Sequence, residues 1–411
     1  MTADRKPLIN SDLRWFMLAM VLANTAAQMA YSMLSLFMVD LGASVAQVGL
    51  VYTLASIAPM LLQLVGGWIS DSIGRLRAIA IGSTISVFGY LLFFTSPTWQ
   101  WVMIGLAVEY ISAAFVGPSF SSYIAEQSDE ASRGRVYGIT RSIYMVVTVA
   151  GPALGGWLSG NFDFRLMLMI SFVLYLLATL LRIWMALSRK FVKKDVIERP
   201  SFAGFKTQLV AMLGLMVSGG ILTWIWISDS VSDISFTMIG ELFPLYLSGV
   251  GKLTVEMIGF LGAAWGVASI LGSAISGWYI DRRSERGILT LGFALVTSGL
   301  VFMMVTRSVA GFLGARVVSG LGVGLILPAF DSLISKVVAE EKRGLAFGFF
   351  GTSLGILSLP MPWIGGQLWE RFTPQTPFWV TAAVSLLILP IAWFKLHAPR
   401  KEVEVIEGVG K

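Results

Sequence analysis

Runs of about 20 apolar residues, each long enough as a helix to cross a hydrocarbon core of ~30 Å, recur along the whole of this chain. They predict spans at 14–39, 47–69, 78–95, 98–125, 136–159 and 164–187, and a second set at 222–248, 257–280, 287–306, 311–335, 344–368 and 377–396. The stretch 203–248 is too long for one span. Its first part places Phe205, Leu209, Met212, Leu213 and Met216 at helical spacing before Gly219-Gly220, which predicts an amphipathic surface helix leading into the seventh span. The rival reading, a thirteenth span, would put Lys395, Arg400 and Lys401 on the opposite side from the other basic residues.

Composition agrees with the pattern. Of 411 residues, 56% are hydrophobic and 13% charged, too little charge to cover a soluble surface. With no cysteine and one histidine, His397, neither a thiolate nor a histidine-cluster metal site can be built. No cofactor is expected. The polar stretch from Met1 to Arg14 has no cleavage pattern, so the first apolar run reads as a helix and not as a leader. Among the 30 Lys and Arg, Arg165, Lys252, Arg307 and Arg371 fall in the loops opposite the termini, and Arg141 and Arg316 fall inside spans. The others, including the basic segment from Arg182 to Lys206 between the halves, lie on the side of the termini. That asymmetry predicts cytoplasmic termini in a plasma (inner) membrane protein. The basic balance does not point to nucleic acid, since no basic run is interleaved with a soluble fold.

The chain repeats itself at an offset of 210 residues. Gly49 maps to Gly259, Gly67-Trp68 to Gly277-Trp278, Asp71 to Asp281, Pro118 to Pro328 and Phe120 to Phe330. Glu130 maps to Glu340, Arg133-Gly134 to Arg343-Gly344, Gly138 to Gly348, Pro152 to Pro362 and Gly155-Gly156 to Gly365-Gly366. The expected fold is therefore an all-α membrane protein of twelve transmembrane helices in two pseudo-symmetric six-helix bundles around a central cavity. Residues 1–187 form one bundle, 188–221 a cytoplasmic linker with the amphipathic helix, and 222–411 the second bundle with a short tail.

The loop after the second span reads Gly67-Trp-Ile-Ser-Asp71-Ser-Ile-Gly74-Arg75. Gly67 permits close helix approach and Gly74 a tight turn. Asp71 can face a helix N-terminus, and Arg75 can bridge Asp71 and Glu126. The pattern resembles the G-x-x-x-D-x-x-G-R signature of the Major Facilitator Superfamily, with an echo at Gly277, Asp281, Arg282 and Arg286. The resemblance extends over nearly the whole chain through the twelve-span plan and the repeat. It implies alternating access, with these charges latching the halves on the cytoplasmic side.

The fifth span carries Gly151-Pro152-Ala-Leu-Gly155-Gly156, similar to the G-P-x-x-G-G motif of proton-coupled drug exporters in the superfamily. Val147 stands where that motif has a further glycine, and helix packing accounts for these residues equally well. The R-x-x-x-G pattern usual in the fourth span is absent, with Leu106 and Tyr110 at its positions. It occurs instead in the tenth as Arg316 to Gly320. This departs from the drug exporters' usual proton relay.

An ionisable side chain at mid-bilayer costs at least ~2.5–3.5 kcal/mol on insertion scales, so it commonly marks a pathway. Glu109, Arg141, Asp229, Asp233, Glu241 and Arg316 are such groups. Asp229, Asp233, Thr237 and Glu241 share roughly one face of the seventh span. Judged by depth, Arg141 pairs with Asp229 or Asp233, and Arg316 with Glu241. That leaves Glu109 without a cation and makes it the candidate proton carrier. The rival reading is static ion pairs that fix helix register. Asn24, Gln28 and Tyr31 form a polar stripe on the first span. Trp224, Trp226 and Trp265 supply aromatic walls or, for the first two, interfacial anchors.

These features predict a secondary transporter of a small solute, proton-coupled, monomeric and embedded in lipid, with efflux or antiport favoured over uptake. The carboxylate-rich seventh span hints at a cationic or amphiphilic solute. The alternatives are a facilitative uniporter or symporter for sugar-like or other metabolites, and a non-transporting sensor or lipid-handling protein of the same fold. No nucleophile–base set and no ATP-binding loop supports an enzyme or a primary pump.

Overall fold

A computed structural model describes residues 9–130, 132–188, 220–280, 282, 284–338 and 343–396. The side chains of residues 61–72, 118, 344 and 345 lie outside that description. So does the amphipathic surface helix expected before the seventh span.

Every regular element among the described residues is a helix, as a bilayer requires of a chain that must satisfy its own backbone. The first half comprises α1 (Ser11–Asp40), α2 (Val45–Ile73), α3 (Arg75–Thr95), α4 (Trp99–Glu126), α5 (Arg133–Asn161) and α6 (Phe164–Ser188). The second comprises α7 (Ile221–Gly240), α8 (Phe243–Gly249), α9 (Val255–Ile280), α10 (Glu285–Val305), α11 (Val309–Val337), α12 (Arg343–Ser358), α13 (Met361–Arg371) and α14 (Thr376–Phe394).

Two predicted spans are broken, each for a local reason. The seventh divides into α7 and α8 just before Pro244, and the eleventh into α12 and α13 around Pro360 and Pro362. Proline has no N–H to donate and clashes with the preceding turn, but it fits a helix's first turn. Other helix starts are set by polar caps. The Asn10 side chain accepts from Leu13 N at 2.7 Å, and Ser308 Oγ accepts from Gly311 N at 3.0 Å. Gly74 opens α3 at φ 93°, a conformation in which a Cβ would clash.

Among the described residues, ten helices are long and apolar enough to cross a membrane, counting α12 and α13 taken together as one. The outward faces fit lipid. Phe88, Leu187, Phe260 and Leu387 are exposed along the sides. Exposed tryptophans ring both ends, Trp15, Trp184, Trp278 and Trp393 at the end carrying the termini and Trp101, Trp157 and Trp379 at the far end. This is the aromatic belt of a membrane protein.

The halves meet along two seams, α2 against α13 and α5 against α9. These are copies of one another. Gly49 packs on the Pro362 carbonyl, and its repeat partner Gly259 packs on the Pro152 carbonyl. A methyl at Gly156 would lie 2.7 Å from the Gly259 Cα, and one at Gly366 would lie 2.7 Å from the Ala46 Cα. Only glycine lets backbones approach so closely. Two polar contacts are added on the first seam: Ala46 N donates to Glu370 Oε1 at 2.8 Å, and Trp363 N donates to Thr53 Oγ1 at 3.3 Å. Both seams lie toward the far end, which is closed.

Candidate functional site

Between the halves a cavity of about 870 Å³ takes in the terminal-side parts of α1, α4, α5, α9 and α11. Asn24, Glu109, Arg141, Tyr144 and Arg182 reach it from the first half, and Trp265, Ser269 and Ser273 from the second. A second pocket of about 460 Å³ lies deeper, against the closed far end. Gln28, Ser32 and Pro152 line it from one side, and Asp233, Phe243 and Arg316 from the other. Thr148, Trp265 and Leu327 border both spaces.

Glu109 is 6% exposed, and its Oε2 makes no hydrogen bond. Its polar neighbours are Tyr31, Ser86 and Arg182. Arg182 is the cation that the sequence reading assigned to the linker. It is only 3% exposed on α6, where it donates to Ser83 Oγ at 2.7 Å and lies 5.9 Å from the Tyr175 ring centre. Glu109 therefore does have a cationic neighbour. Arg182 was missed because it stands in the last two turns of its span, directly before a basic run. Tyr90 and Tyr175 stack at 4.6 Å, and Ser86 Oγ donates to Ser112 Oγ at 2.6 Å. The result is a polar pocket inside the first bundle, open to the larger cavity.

Neither expected ion pair forms. Arg141 lies on the cavity wall within electrostatic reach of Asp331 on α11, not paired to Asp229 or Asp233. Asp233 instead accepts a hydrogen bond from Ser358 Oγ, and Asp229 is half-buried beside Asp233 and Asp331. Arg316 does not meet Glu241 either. Its guanidinium lies 4.4 Å from the Phe243 ring centre and 5.3 Å from that of Trp265, while Glu241 lies beside Tyr52. Depth along a helix is legible in a sequence. The rotation that points one side chain at another is set by packing. Asp331 escaped notice because it stands near the end of its span, although it lies inside the predicted 311–335.

The α1 stripe divides. Asn24 faces the larger cavity and donates to Met20 O at 2.9 Å, Gln28 reaches the deeper pocket, and Tyr31 turns to Glu109. Thr237 is half-buried on α7. Trp226 Nε1 donates to Ser353 Oγ at 3.1 Å, and Lys395 lies over the Trp224 ring. The α5 motif is a packing surface: Gly151 seats Gln28, Gly155 the Met29 backbone, and Pro152 and Gly156 meet Gly259.

At the terminal end, Arg75 Nε lies 3.2 Å from Glu126 Oε1. Gly67, Asp71 and Asp281 lie outside the described side chains. Gly277 is exposed, and Arg286 stacks on Trp393 at 4.6 Å. The second half has its own ion pair nearby, Lys336 Nζ to Glu285 Oε1 at 2.5 Å, supported by Ser332 Oγ at 3.0 Å. Glu285 and Lys336 stand 210 residues after Arg75 and Glu126. The same pair is thus built twice with its charges exchanged. Applying the repeat offset to Arg75 and Glu126 would have found it.

Comparison with known proteins gives this architecture its family. A multidrug resistance efflux pump PmrA homologue from Lactococcus lactis is 24% identical over 76% of each chain. The quinolone resistance protein NorA of Staphylococcus aureus is 24% identical over 40% of this chain, and that match spans only 42% of NorA. Among solved structures, the nucleoside transporter NupG superposes with TM-score 0.74 at 15% identity, over 94% of this chain and all of NupG. A bacterial homologue of the lysosomal transporter Spinster does so with TM-score 0.73 at 13% identity, over 94% and 96%. The Major Facilitator Superfamily model matches residues 16–251 and 208–410. The chain is a multi-pass membrane transporter, not an enzyme, and it belongs to the Major Facilitator Superfamily.

Proposed function

We propose that this protein exports small amphiphilic organic solutes from the cytoplasm through the plasma membrane, as a proton-coupled monomer with both termini inside. The observation that carries this reading is the shape of the interface. Two glycine-lined seams close the far end, and a cavity walled by both halves lies toward the terminal end. With the termini cytoplasmic, the protein is loaded from the inside, and rocking about the seams exchanges the open end. The two efflux relatives support the direction.

Glu109 carries the proton. A carboxylate drawn out of water is costly, and binding a proton removes the charge. Arg182 offers a counter-charge when the proton leaves. Proteoliposomes loaded with aromatic dyes test this. The native protein should drive net dye movement under an imposed pH gradient. Glu109→Gln should lose at least ~99% of the gradient-driven component, about the hundredfold lower bound for a positioned proton-transfer group, while retaining dye exchange without a gradient. Unchanged gradient-driven movement would remove Glu109 from the mechanism.

A further inference from the structure

We infer that the deeper pocket recognises a solute bearing both a carboxylate and an amine, with Arg316 as the carboxylate receptor. The inference rests on the transporter reading and names its substrate class. The Arg316 guanidinium makes no hydrogen bond or ion pair with any described residue, and its Nε is buried without a partner. Two aromatic faces, Phe243 at 4.4 Å and Trp265 at 5.3 Å, are what hold it.

Rings stabilise a cation but accept none of its five N–H bonds. A positive group lining an inter-bundle pocket and left with unused donors is poised for an anion from outside the protein. The guanidinium's planar fork matches a carboxylate with two parallel bonds.

The opposite charge in the same pocket narrows the class. Asp233 lines it and is held there by Ser358. One cation and one carboxylate on the wall sum to zero, so a dianion such as a phosphate ester meets repulsion from Asp233. A zwitterion satisfies both. Phe236, Phe243 and Trp265 provide an apolar lining between, and about 460 Å³ is within the range of small-molecule sites. The first half contributes only neutral groups to this pocket: Gln28, Ser32, Met33, Thr148 and Pro152.

Four compounds on one skeleton test the assignment: 4-(piperazin-1-yl)benzoic acid, its methyl ester, its N-acetyl derivative and the doubly masked neutral form. Binding to the purified full-length protein is read by quenching of tryptophan fluorescence. The native protein should prefer the zwitterion to its ester by about tenfold or more. Arg316→Gln should bring that ratio to about one, and Arg316→Lys should keep part of it. Asp233→Asn should lower the preference for the free amine over the N-acetyl form and spare the preference for acid over ester. An ester that binds the native protein as well as the acid, an acid preference that survives Arg316→Gln, or no saturable binding of any compound up to about 1 mM would overturn the inference. Ester flux into proteoliposomes is scored separately. Flux without acid preference sinks the Arg316 site and leaves the transporter reading standing. Acid preference without flux of any compound does the reverse.

Discussion

The two halves share a scaffold and differ in chemistry. Where the 210-residue repeat holds, it holds for contacts. Gly49 on Pro362 matches Gly259 on Pro152, and Arg75 with Glu126 occupies the place of Glu285 with Lys336. Where it fails, the charges that line the cavities or stand beside those that do are found. Glu109 faces Ser319 across the repeat, Arg316 faces Leu106, Asp233 faces Ala23, Asp229 faces Ala19, Arg141 faces Gly351 and Asp331 faces Ser121. Duplication supplied two bundles able to rock, and divergence placed the buried carboxyl of Glu109 in one and the unpaired cation of Arg316 in the other. Positions where a repeat breaks in favour of an ionisable residue are therefore the first to test in a duplicated membrane protein.

The strongest way to break this comparison is at the seams. Gly49→Leu and Gly259→Leu place a side chain against a backbone carbonyl, and overpacking of this kind costs about 1–3 kcal/mol. Both variants should lower the thermal midpoint alike and reduce dye transport by about tenfold. Gly348→Leu, where no atom lies within 4 Å of an added Cβ, should do neither. Unequal losses at the two seam positions would mean that the seams are not equivalent.

The ion pairs separate the halves next. Glu285 is 2% exposed whereas Glu126 is 54% exposed. Lys336→Met leaves a buried carboxylate with Ser332 alone and should cost about 1–3 kcal/mol. Arg75→Met disturbs a solvated pair and should cost about 0–1 kcal/mol. Thermal unfolding in one detergent compares them, and equal shifts would make the difference in burial irrelevant.

The smallest effect on stability sharpens the comparison most. Exchanging the solvated first pair, Arg75→Glu with Glu126→Arg, makes the two halves alike at this position. Stability should change by less than about 1 kcal/mol. Spin labels across the terminal end should report a larger open fraction than in the native protein. An unchanged distance distribution would deny the charge exchange any part in closing that end.

The fold was legible because lipid imposes one rule on every span, so that length and hydropathy suffice, and because a fixed offset betrays a duplication. The breaks at Pro244 and around Pro360 could have been read from the prolines. The site was legible only in one dimension. Glu109, Arg141, Asp233 and Arg316 were found as charges out of place, but their partners were not. Whether Arg316 meets Glu241 or the rings of Phe243 and Trp265 depends on helix rotation, which apolar runs do not encode. Arg182 was lost to its basic neighbours, although no other charge of its span lies so far inside the bundle.

The exchanged ion pair has a geometric corollary. In an object with a two-fold axis, each group and its twin sit at equal radius, and they draw together when the object narrows. Faithful twins of one sign would resist that narrowing. Because Arg75 is twinned with Glu285 and Glu126 with Lys336, each member of this pair meets its opposite when the mouth narrows, which offsets same-sign twins at that end such as Arg133 and Arg343.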